Sequence, residues 1–154
     1  MGDTTIDSAN RVFEVMDGVT SFARMAGFAI DGFCEDPSDA ICSDFKDTFV
    51  ELLRLSSIKK LGRYRAESFE YLGQTIDGDS AVVETLARYG DDDVELVYQL
   101  RYLTDRWVIV NYVVDGIDTI KNYRKQFSRM LRVESVEEVT QRLRRRVVDL
   151  EGES

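Results

Sequence analysis

The residues best able to do chemistry in this chain are a run of carboxylates, a tyrosine and an asparagine in neighbouring strands, and two cysteines. There is no histidine, which excludes serine–histidine and cysteine–histidine catalysis, histidine metal sites and histidine-based pH switching. The sequence also contains no P-loop, dinucleotide-binding fingerprint, nucleophile elbow or Cys-x-x-Cys motif. These absences favour a binding protein over an enzyme.

The carboxylate run Asp91–Asp93 falls between two predicted strands. A solvated hairpin loop is its default interpretation, because it lacks the ligand spacing of an EF-hand loop. Tyr98 and Asn111 are expected to face each other on the inward side of a sheet. There they would form either a polar pair inside a cavity or a satisfied buried hydrogen bond. Neither interpretation requires a metal or a cofactor, and we expect none.

The two cysteines, Cys34 and Cys42, are close enough in sequence to close a loop. Their spacing permits a disulfide in an exported protein and, equally, two partly buried free thiols. Residues 1–6 contain neither a basic nor an apolar leader region. No apolar run approaches the roughly 20 residues that a membrane-spanning helix needs.

Composition and charge narrow the class further. The chain has 154 residues, of which 44% are hydrophobic and 32% charged, an ordinary globular balance. This length suits one domain, which we place over residues 1–154. The formal net charge of −9 argues against non-specific nucleic-acid binding, which needs a positive surface.

Helical periodicity occupies both ends of the chain, residues 5–62 and 118–150. Apolar residues recur at three- and four-residue steps over residues 8–28 and again over residues 41–55. Asp36 and Pro37 predict an N-cap and first helical position for the second helix. Asp118 is a suitable N-cap for the helix after the sheet. The last helix carries Arg142 and Arg144–Arg146, which form either a solvated face or a docking surface for an acidic partner or anionic lipid.

Between these ends, residues 66–114 alternate with the period of β-strands. Four antiparallel strands are predicted at residues 67–76, 80–89, 94–103 and 107–114. A turn at residues 104–105 pairs Tyr102 with Trp107. The same register then sets Leu100 opposite Ile109, Tyr98 opposite Asn111 and Leu96 opposite Val113.

The second strand adds small side chains to that inward face: Ala81, Val83, Thr85 and Ala87. Small residues beside large ones either leave room under a covering helix or let that helix pack closer. The register of the first strand stays open. A tight turn at Asp77-Gly78 would place Leu72 inward, whereas one extra loop residue would place Phe69 and Tyr71 inward. The fold class that follows is α+β, a curved antiparallel sheet of about four strands with helices packed on one face.

The most specific pattern runs from Trp107 to Phe127 and reads WVIVNYVVDGIDTIKNYRKQF. It resembles the closing signature of the MlaC family, in which a strand led by Trp ends in Asp/Glu-Gly-Val-Ser and the next helix contains Tyr-Arg-x-Gln-Phe. The matching residues are Trp107, Asp115, Gly116, Tyr123, Arg124, Gln126 and Phe127.

A second stretch upstream resembles the same family. Phe45, Phe49, Leu52 and Leu53 have the spacing of its Phe-x-x-x-Phe-x-x-Leu-Leu helix, so the resemblance covers about residues 45–131. The chain departs from the pattern at Asn111, where the family usually has Asp, and at Asp118, where it usually has Ser.

The resemblance implies a periplasmic lipid-binding carrier whose signal peptide has been removed. Such a carrier shuttles phospholipid between the outer and inner membranes as the soluble component of an Mla-type ABC transport system. Its implied partners are phospholipid, an outer-membrane lipoprotein complex, and an inner-membrane ABC transporter with its substrate-capturing subunit. The implied fold is similar to nuclear-transport-factor-like cones, with acyl tails held between sheet and helices. We further expect a monomer that is not an enzyme and carries phospholipid as cargo.

The expected lipid-binding residues come from the second helix, the sheet and the helix that follows it. They are Phe49, Leu52, Leu53, Val83, Leu96, Tyr98, Leu100, Ile109, Val113, Ile120, Tyr123 and Phe127. Plain core packing uses the same residue types, so that alternative stays open for each. Burial of an acyl chain gains about 0.8 kcal/mol per CH₂, so an apolar slot suffices. Arg124 either pairs with a carboxylate, which we favour, or lies near the lipid phosphate.

Three other functions remain compatible with the residues. One is a carrier for another apolar ligand, a hopanoid or a sterol. Another is a small cone-fold enzyme acting on an apolar substrate, for which Tyr98 and Asn111 are the candidate residues. The third is an adaptor with a filled core.

Overall fold

A computed structural model of the chain describes residues 18–34, 36, 38–63 and 68–152. The described helices are α1 (Phe22–Ile30), α2 (Ala40–Arg63), α3 (Thr119–Met130) and α4 (Val136–Gly152). The strands are β1 (Ser68–Asp77), β2 (Ser80–Tyr89), β3 (Asp92–Leu103), β4 (Arg106–Val114) and β5 (Ile117–Asp118). The strands form one antiparallel sheet in sequential order. The α+β class is confirmed, with a fifth strand of two residues added to the four expected.

The chain divides into two compact units. Among the described residues, the sheet unit consists of 18–21, 58–63 and 68–118. The helical unit consists of 22–34, 36, 38–57 and 119–152. Each unit contributes part of the expected lipid-binding set, and each is described below on its own terms.

The first predicted helix does not run unbroken to residue 28. Thr20 forms a parallel bridge with Ile109, and the backbone amide of Ser21 donates to the Ile109 carbonyl at 2.9 Å. α1 begins only at Phe22. The edge of β4 offers backbone groups that need partners, and satisfying them interrupts the helix. The earlier part of the predicted helix, residues 8–17, lies outside the described residues.

α2 starts later than the sequence predicts. The amide of Ile41 donates to the Asp39 carboxylate at 2.9 Å, which makes Asp39 the cap of a helix that begins at Ala40. Asp36 instead accepts hydrogen bonds from the amide and hydroxyl of Ser38, at 3.0 and 2.6 Å, and these bonds lower the pKa of Asp36. The prediction of Asp36 as N-cap was therefore wrong, and Pro37 lies outside the described residues.

The β1–β2 hairpin resolves the register that the sequence left open. Asp77 pairs with Ser80 across a two-residue turn, and Gln74 pairs with Val83. A β-bulge between Tyr71 and Gly73 then shifts the pairing, so that Tyr71 lies opposite Thr85. The turn has two residues but lies at Gly78 and Asp79, one residue later than the tight turn predicted. The bulge gives Tyr71 the place opposite Thr85 that this turn alone would have given Leu72.

The β3–β4 hairpin begins as predicted and then changes register. Tyr102 lies opposite Trp107, and Leu100 lies opposite Ile109. A bulge follows, because one residue of β4 is added between Ile109 and Asn111. The predicted pairs Tyr98–Asn111 and Leu96–Val113 were therefore wrong. The observed pairs are Gln99–Asn111, Tyr98–Tyr112, Val97–Val113 and Leu96–Val114.

In the helical unit, a disulfide and an ion pair tie distant residues together. Cys34 and Cys42 form a disulfide across the connection from α1 to α2, with their Cα atoms 5.5 Å apart. Arg144 of α4 binds both carboxylate oxygens of Asp44 of α2 at 2.8 Å. The α4 N-terminus carries a capping box, in which the amide of Glu138 donates to Ser135 Oγ at 3.1 Å and the amide of Ser135 donates to Glu138 at 3.2 Å.

Candidate functional site

The sheet unit has one predominantly apolar face built from β2, β3 and β4. Pairing in β2–β3 sets Ala81, Val83, Thr85 and Ala87 opposite Leu100, Tyr98, Leu96 and Val94. The four β2 residues therefore lie on the face that the sequence predicts for them. Ile109, Tyr112 and Val114 of β4 extend the same face. Leu96 is only 1% exposed, whereas Val83, Tyr98 and Leu100 are half-buried. The half-buried members are the ones with surface left to offer a ligand.

The Tyr98 hydroxyl is one of the polar groups on this face. Burial raises the pKa of Tyr98, and a hydrogen bond with the Thr85 side chain partly offsets that effect. The Thr85 hydroxyl also donates to the Leu96 carbonyl at 2.8 Å. The phenol is thus neutral and fixed in place across the β2–β3 pair. It is suited to line an apolar ligand rather than to donate or accept a proton at neutral pH.

Asn111 does not lie beside Tyr98, because the bulge in β4 turns it to the other face. Its amide nitrogen donates to Gln99 Oε1 and to Asp118 Oδ1, each at 3.0 Å, and Asn111 is only 2% exposed. The cavity pair expected from Tyr98 and Asn111 is therefore wrong. The two positions that depart from the family pattern, Asn111 and Asp118, are hydrogen-bonded to each other.

The register also changes which β4 residues belong to the apolar face. Val113 was expected on the apolar face, but it pairs with Val97 on the other face of the sheet. Tyr112 and Val114 take its place, and both are buried at 5% and 7% exposure. Uninterrupted period-two alternation cannot identify them, since a single extra residue inverts every assignment that follows it.

In the helical unit, the expected residues from α2 and α3 form an aromatic cluster. The Phe49 ring contacts the rings of Tyr123 and Phe127 edge-on, with centroids 4.9 and 4.8 Å apart. Phe45 contacts Phe127 in the same way at 5.3 Å. Phe45, Phe49 and Phe127 are at most 1% exposed, and Leu52 and Leu53 are at most 4% exposed. This geometry is that of a packed core, with edge-to-face rings at favourable distances.

Tyr123 and Ile120 differ from that cluster in being half-buried. Burial raises the pKa of Tyr123, while a hydrogen bond with Ser56 and the nearby positive charge of Arg146 act in the opposite direction. The ring of Tyr123 therefore packs in the aromatic cluster, while its hydroxyl forms a hydrogen bond with Ser56.

Arg124 has a structural partner that the sequence did not indicate. Its guanidinium donates to the backbone carbonyls of Phe28 and Asp31, at 2.8 and 3.0 Å, and lies 5.6 Å from the centre of the Phe33 ring. These carbonyls are at the C-terminal end of α1, where a cation is favoured. In the described part of the chain, carbonyls rather than the expected carboxylate bind Arg124.

The remaining motif residues also shape the backbone. Asp115 and Gly116 both have positive φ angles, 48° and 81°, which is the geometry of the two-residue turn between β4 and β5. The Asp115 carboxylate accepts from the amide of Glu95 at 2.8 Å, and the amide of Asp115 donates to the Glu95 carbonyl at 2.9 Å. Trp107 contacts Tyr102 edge-on at 5.4 Å.

The carboxylate run has no metal-site geometry in the described residues. Asp92 and Asp93 belong to β3, and Asp93 forms an ion pair with Arg88 at 3.4 Å. Within residues 18–34, 36, 38–63 and 68–152, no group of three or more Cys, Asp or Glu side chains is arranged to hold a metal ion. Among the helices described, none is both long enough and apolar enough to cross a bilayer.

The chain matches one protein family model and is similar in fold to solved structures. A family model described as MlaC protein matches residues 4–145. The fold is similar to that of a phospholipid-binding protein from Ralstonia solanacearum solved in complex with a phospholipid, with a TM-score of 0.74 and 20% sequence identity. That alignment covers 93% of this chain and 84% of the Ralstonia chain. No curated protein sequence matches. Because the family model covers most of the chain, this protein belongs to the MlaC family.

Proposed function

We propose that this protein binds phospholipid and carries it as a soluble component of an Mla-type transport system. The observation that carries the proposal is the apolar sheet face with half-buried Val83, Tyr98 and Leu100, in a fold shared with a protein solved holding a phospholipid. An acyl chain needs little more than apolar surface, since its burial gains about 0.8 kcal/mol per CH₂. Binding rather than catalysis is the activity proposed.

The lining that we propose follows the degree of burial. In the sheet unit, the half-buried Val83, Tyr98 and Leu100 contact acyl chains, and the buried Leu96 and Ile109 lie in the same face. In the helical unit, the half-buried Ile120 and Tyr123 are the residues with surface left for a ligand, and Phe49, Leu52, Leu53 and Phe127 are packed core. From β4, the proposed lining includes Tyr112 and Val114, which lie on the apolar face, instead of Val113.

The compartment proposed is the periplasm. A disulfide joins Cys34 and Cys42, and structural disulfides persist in exported proteins rather than in a reducing cytosol. The partners proposed are an outer-membrane lipoprotein complex and an inner-membrane ABC transporter with its substrate-capturing subunit, between which a monomer shuttles its cargo. Family membership is the support for these partners.

Two neighbouring valines of β2 provide a matched test of cargo binding. Val83 lies opposite Tyr98 on the apolar face, Val82 lies opposite Gln99 on the other face, and both are half-buried. We expect Val83→Asn to lower the phospholipid retained after purification several-fold, because it puts an amide against an acyl chain. Val82→Asn should retain nearly the wild-type amount. Equal retention by the two variants would contradict the proposed lining.

Vesicle-to-vesicle transfer of a fluorescent phospholipid tests the carrier function itself. Wild-type protein should accelerate transfer in proportion to its concentration, and Val83→Asn should do so less than Val82→Asn. A preference for a sterol or hopanoid probe would change the proposed cargo class and leave the carrier function in place. Tyr98 and Asn111 were the candidate residues for the enzyme alternative. They lie on opposite faces of the sheet, so they cannot act together at one site.

A further inference from the structure

Positive charge is concentrated in one segment of this acidic protein. Residues 119–146, which comprise α3, the turn after it and most of α4, are termed here the basic hairpin. The basic hairpin contains nine Lys and Arg against three Asp and Glu, a formal charge of +6, although the whole chain carries −9. The strands and turns of residues 68–118 carry three Lys and Arg against eleven Asp and Glu. The surplus cations therefore need an explanation beyond solubility.

Some of these cations are used within the helical unit. Arg144 binds Asp44, Arg142 binds Glu134 at 2.7 Å, and Arg124 binds the end of α1. Other basic side chains along α3 and the turn are exposed and form no ion pair with a described residue: Lys125, Arg129 and Arg132. Lys125 and Arg129 are four residues apart and so lie on one side of α3, and Arg132 follows in the turn.

The turn between α3 and α4 presents an apolar side chain beside those cations. Val133 is 84% exposed and directly follows Arg132. Glu134 is occupied by Arg142, which removes one of the few carboxylates near the tip. An exposed apolar tip flanked by free guanidinium groups is suited to a phospholipid surface, where the apolar group enters the interface and the cations meet phosphates.

We propose that the basic hairpin docks the protein transiently on membranes that contain anionic phospholipid. Val133 inserts at the interface, and Lys125, Arg129 and Arg132 face the headgroups. This inference rests on the proposed carrier function, because a carrier has to meet a membrane that holds its cargo. The exposed Val133 favours a lipid surface over an acidic protein, for which charge alone would suffice.

Flotation with vesicles tests the docking. Wild-type protein should bind vesicles of phosphatidylcholine with phosphatidylglycerol, bind pure phosphatidylcholine far less, and be released by salt. Arg129→Gln with Arg132→Gln should weaken partitioning about 25-fold, since each basic residue at an anionic surface contributes about fivefold. The matched control is Lys46→Gln with Arg101→Gln, which removes the same charge from exposed sites elsewhere and should stay within about twofold of wild type.

Valine substitutions separate insertion from charge. Val133→Asp should weaken vesicle binding about as much as loss of one arginine or more, while Val148→Asp, at a 61% exposed valine on α4, should change it by less than twofold. Circular dichroism checks that every variant stays folded. Equal effects of the two substitutions would overturn the role of Val133.

Lipid extraction from the same preparations distinguishes failure of docking from failure of carriage. A protein that holds phospholipid but ignores anionic vesicles overturns the docking proposal and leaves the carrier function intact. Retention of that protein on an immobilised acidic polypeptide would then assign the hairpin to an acidic protein. Salt-sensitive vesicle binding by a protein without lipid supports docking and contradicts carriage.

Discussion

The two units supply apolar side chains to the expected site in different states of burial. In the helical unit, Phe49 and Phe127 are at most 1% exposed and held in edge-to-face contact. On the apolar face of the sheet unit, Val83, Tyr98 and Leu100 are half-buried. Residue type alone does not distinguish the two cases, whereas burial does. This difference is the reason we propose the sheet face, rather than the aromatic cluster, as the surface that contacts cargo.

The largest expected effect tests the helical side of this comparison. Phe49→Ala removes a ring that is 0% exposed and contacts two other aromatic rings. It should lower the free energy of unfolding by about 3–5 kcal/mol. Urea denaturation measures this change. Val148→Ala, at an exposed site on α4, is the control and should stay within about 0.5 kcal/mol of wild type. A Phe49→Ala protein of normal stability that loses only its lipid would reverse the assignment.

The disulfide offers a second perturbation confined to the helical unit. Joint substitution of Cys34→Ser and Cys42→Ser opens the short loop before α2. The stability should fall by about 2–3 kcal/mol, as expected for closure of a loop of this length. Thermal unfolding with and without reductant gives the comparison. A reductant-insensitive wild type would show that the bridge contributes nothing to stability.

Replacement of Arg124 removes a contact that holds α1 to α3. Arg124→Met keeps the length of the side chain but loses the bonds to the Phe28 and Asp31 carbonyls. We expect a loss of about 2 kcal/mol, typical of hydrogen bonds from a charged donor. Arg129→Met on the same helix is the control, since that side chain is exposed and unpaired among the described residues. If the two variants were equally stable, the capping role would be wrong.

The smallest expected effect compares one tyrosine from each unit. Burial raises the pKa of Tyr98 and of Tyr123 above the ordinary 10.0. Well below pH 10 both phenols are neutral in the folded and unfolded states, so they add no pH dependence there. Above pH 10 the unfolded chain ionises first, and stability falls as the pH rises toward the folded pKa values. Tyr98→Phe and Tyr123→Phe should each flatten this alkaline decline. A decline identical to wild type in both variants would contradict the burial of the hydroxyls.

Much of the fold could be predicted because its signals are local. Period-two alternation predicted the four main strands to within about two residues, and the short connection between β2 and β3 predicted which side chains of β2 share the inward face. The Asp-Gly and Tyr-Arg-x-Gln-Phe residues identified the family because they make a turn, a helix contact and part of an aromatic cluster. Each of these features depends on residues close together in sequence or on a fixed helical spacing.

What could not be predicted depends on contacts between distant residues. The bulge after Ile109 places Asn111 and Val113 on the other face, and no feature of the neighbouring sequence indicates the extra residue. The bridge from Thr20 to Ile109 interrupted a helical pattern that the sequence continues. Arg124 donates hydrogen bonds to backbone carbonyl groups. Every residue has such a group, so no residue type in the sequence indicates this contact. The candidate lining stays a prediction, and Val113 is the member that the observed β4 register places on the other face.

Native mass spectrometry of the purified protein tests the central claim most directly, when it is followed by organic extraction and lipid analysis. A phospholipid carrier should show a bound mass that resolves into diacyl phospholipid. A clean mass for the protein alone, unchanged after incubation with labelled phospholipid vesicles, would contradict it.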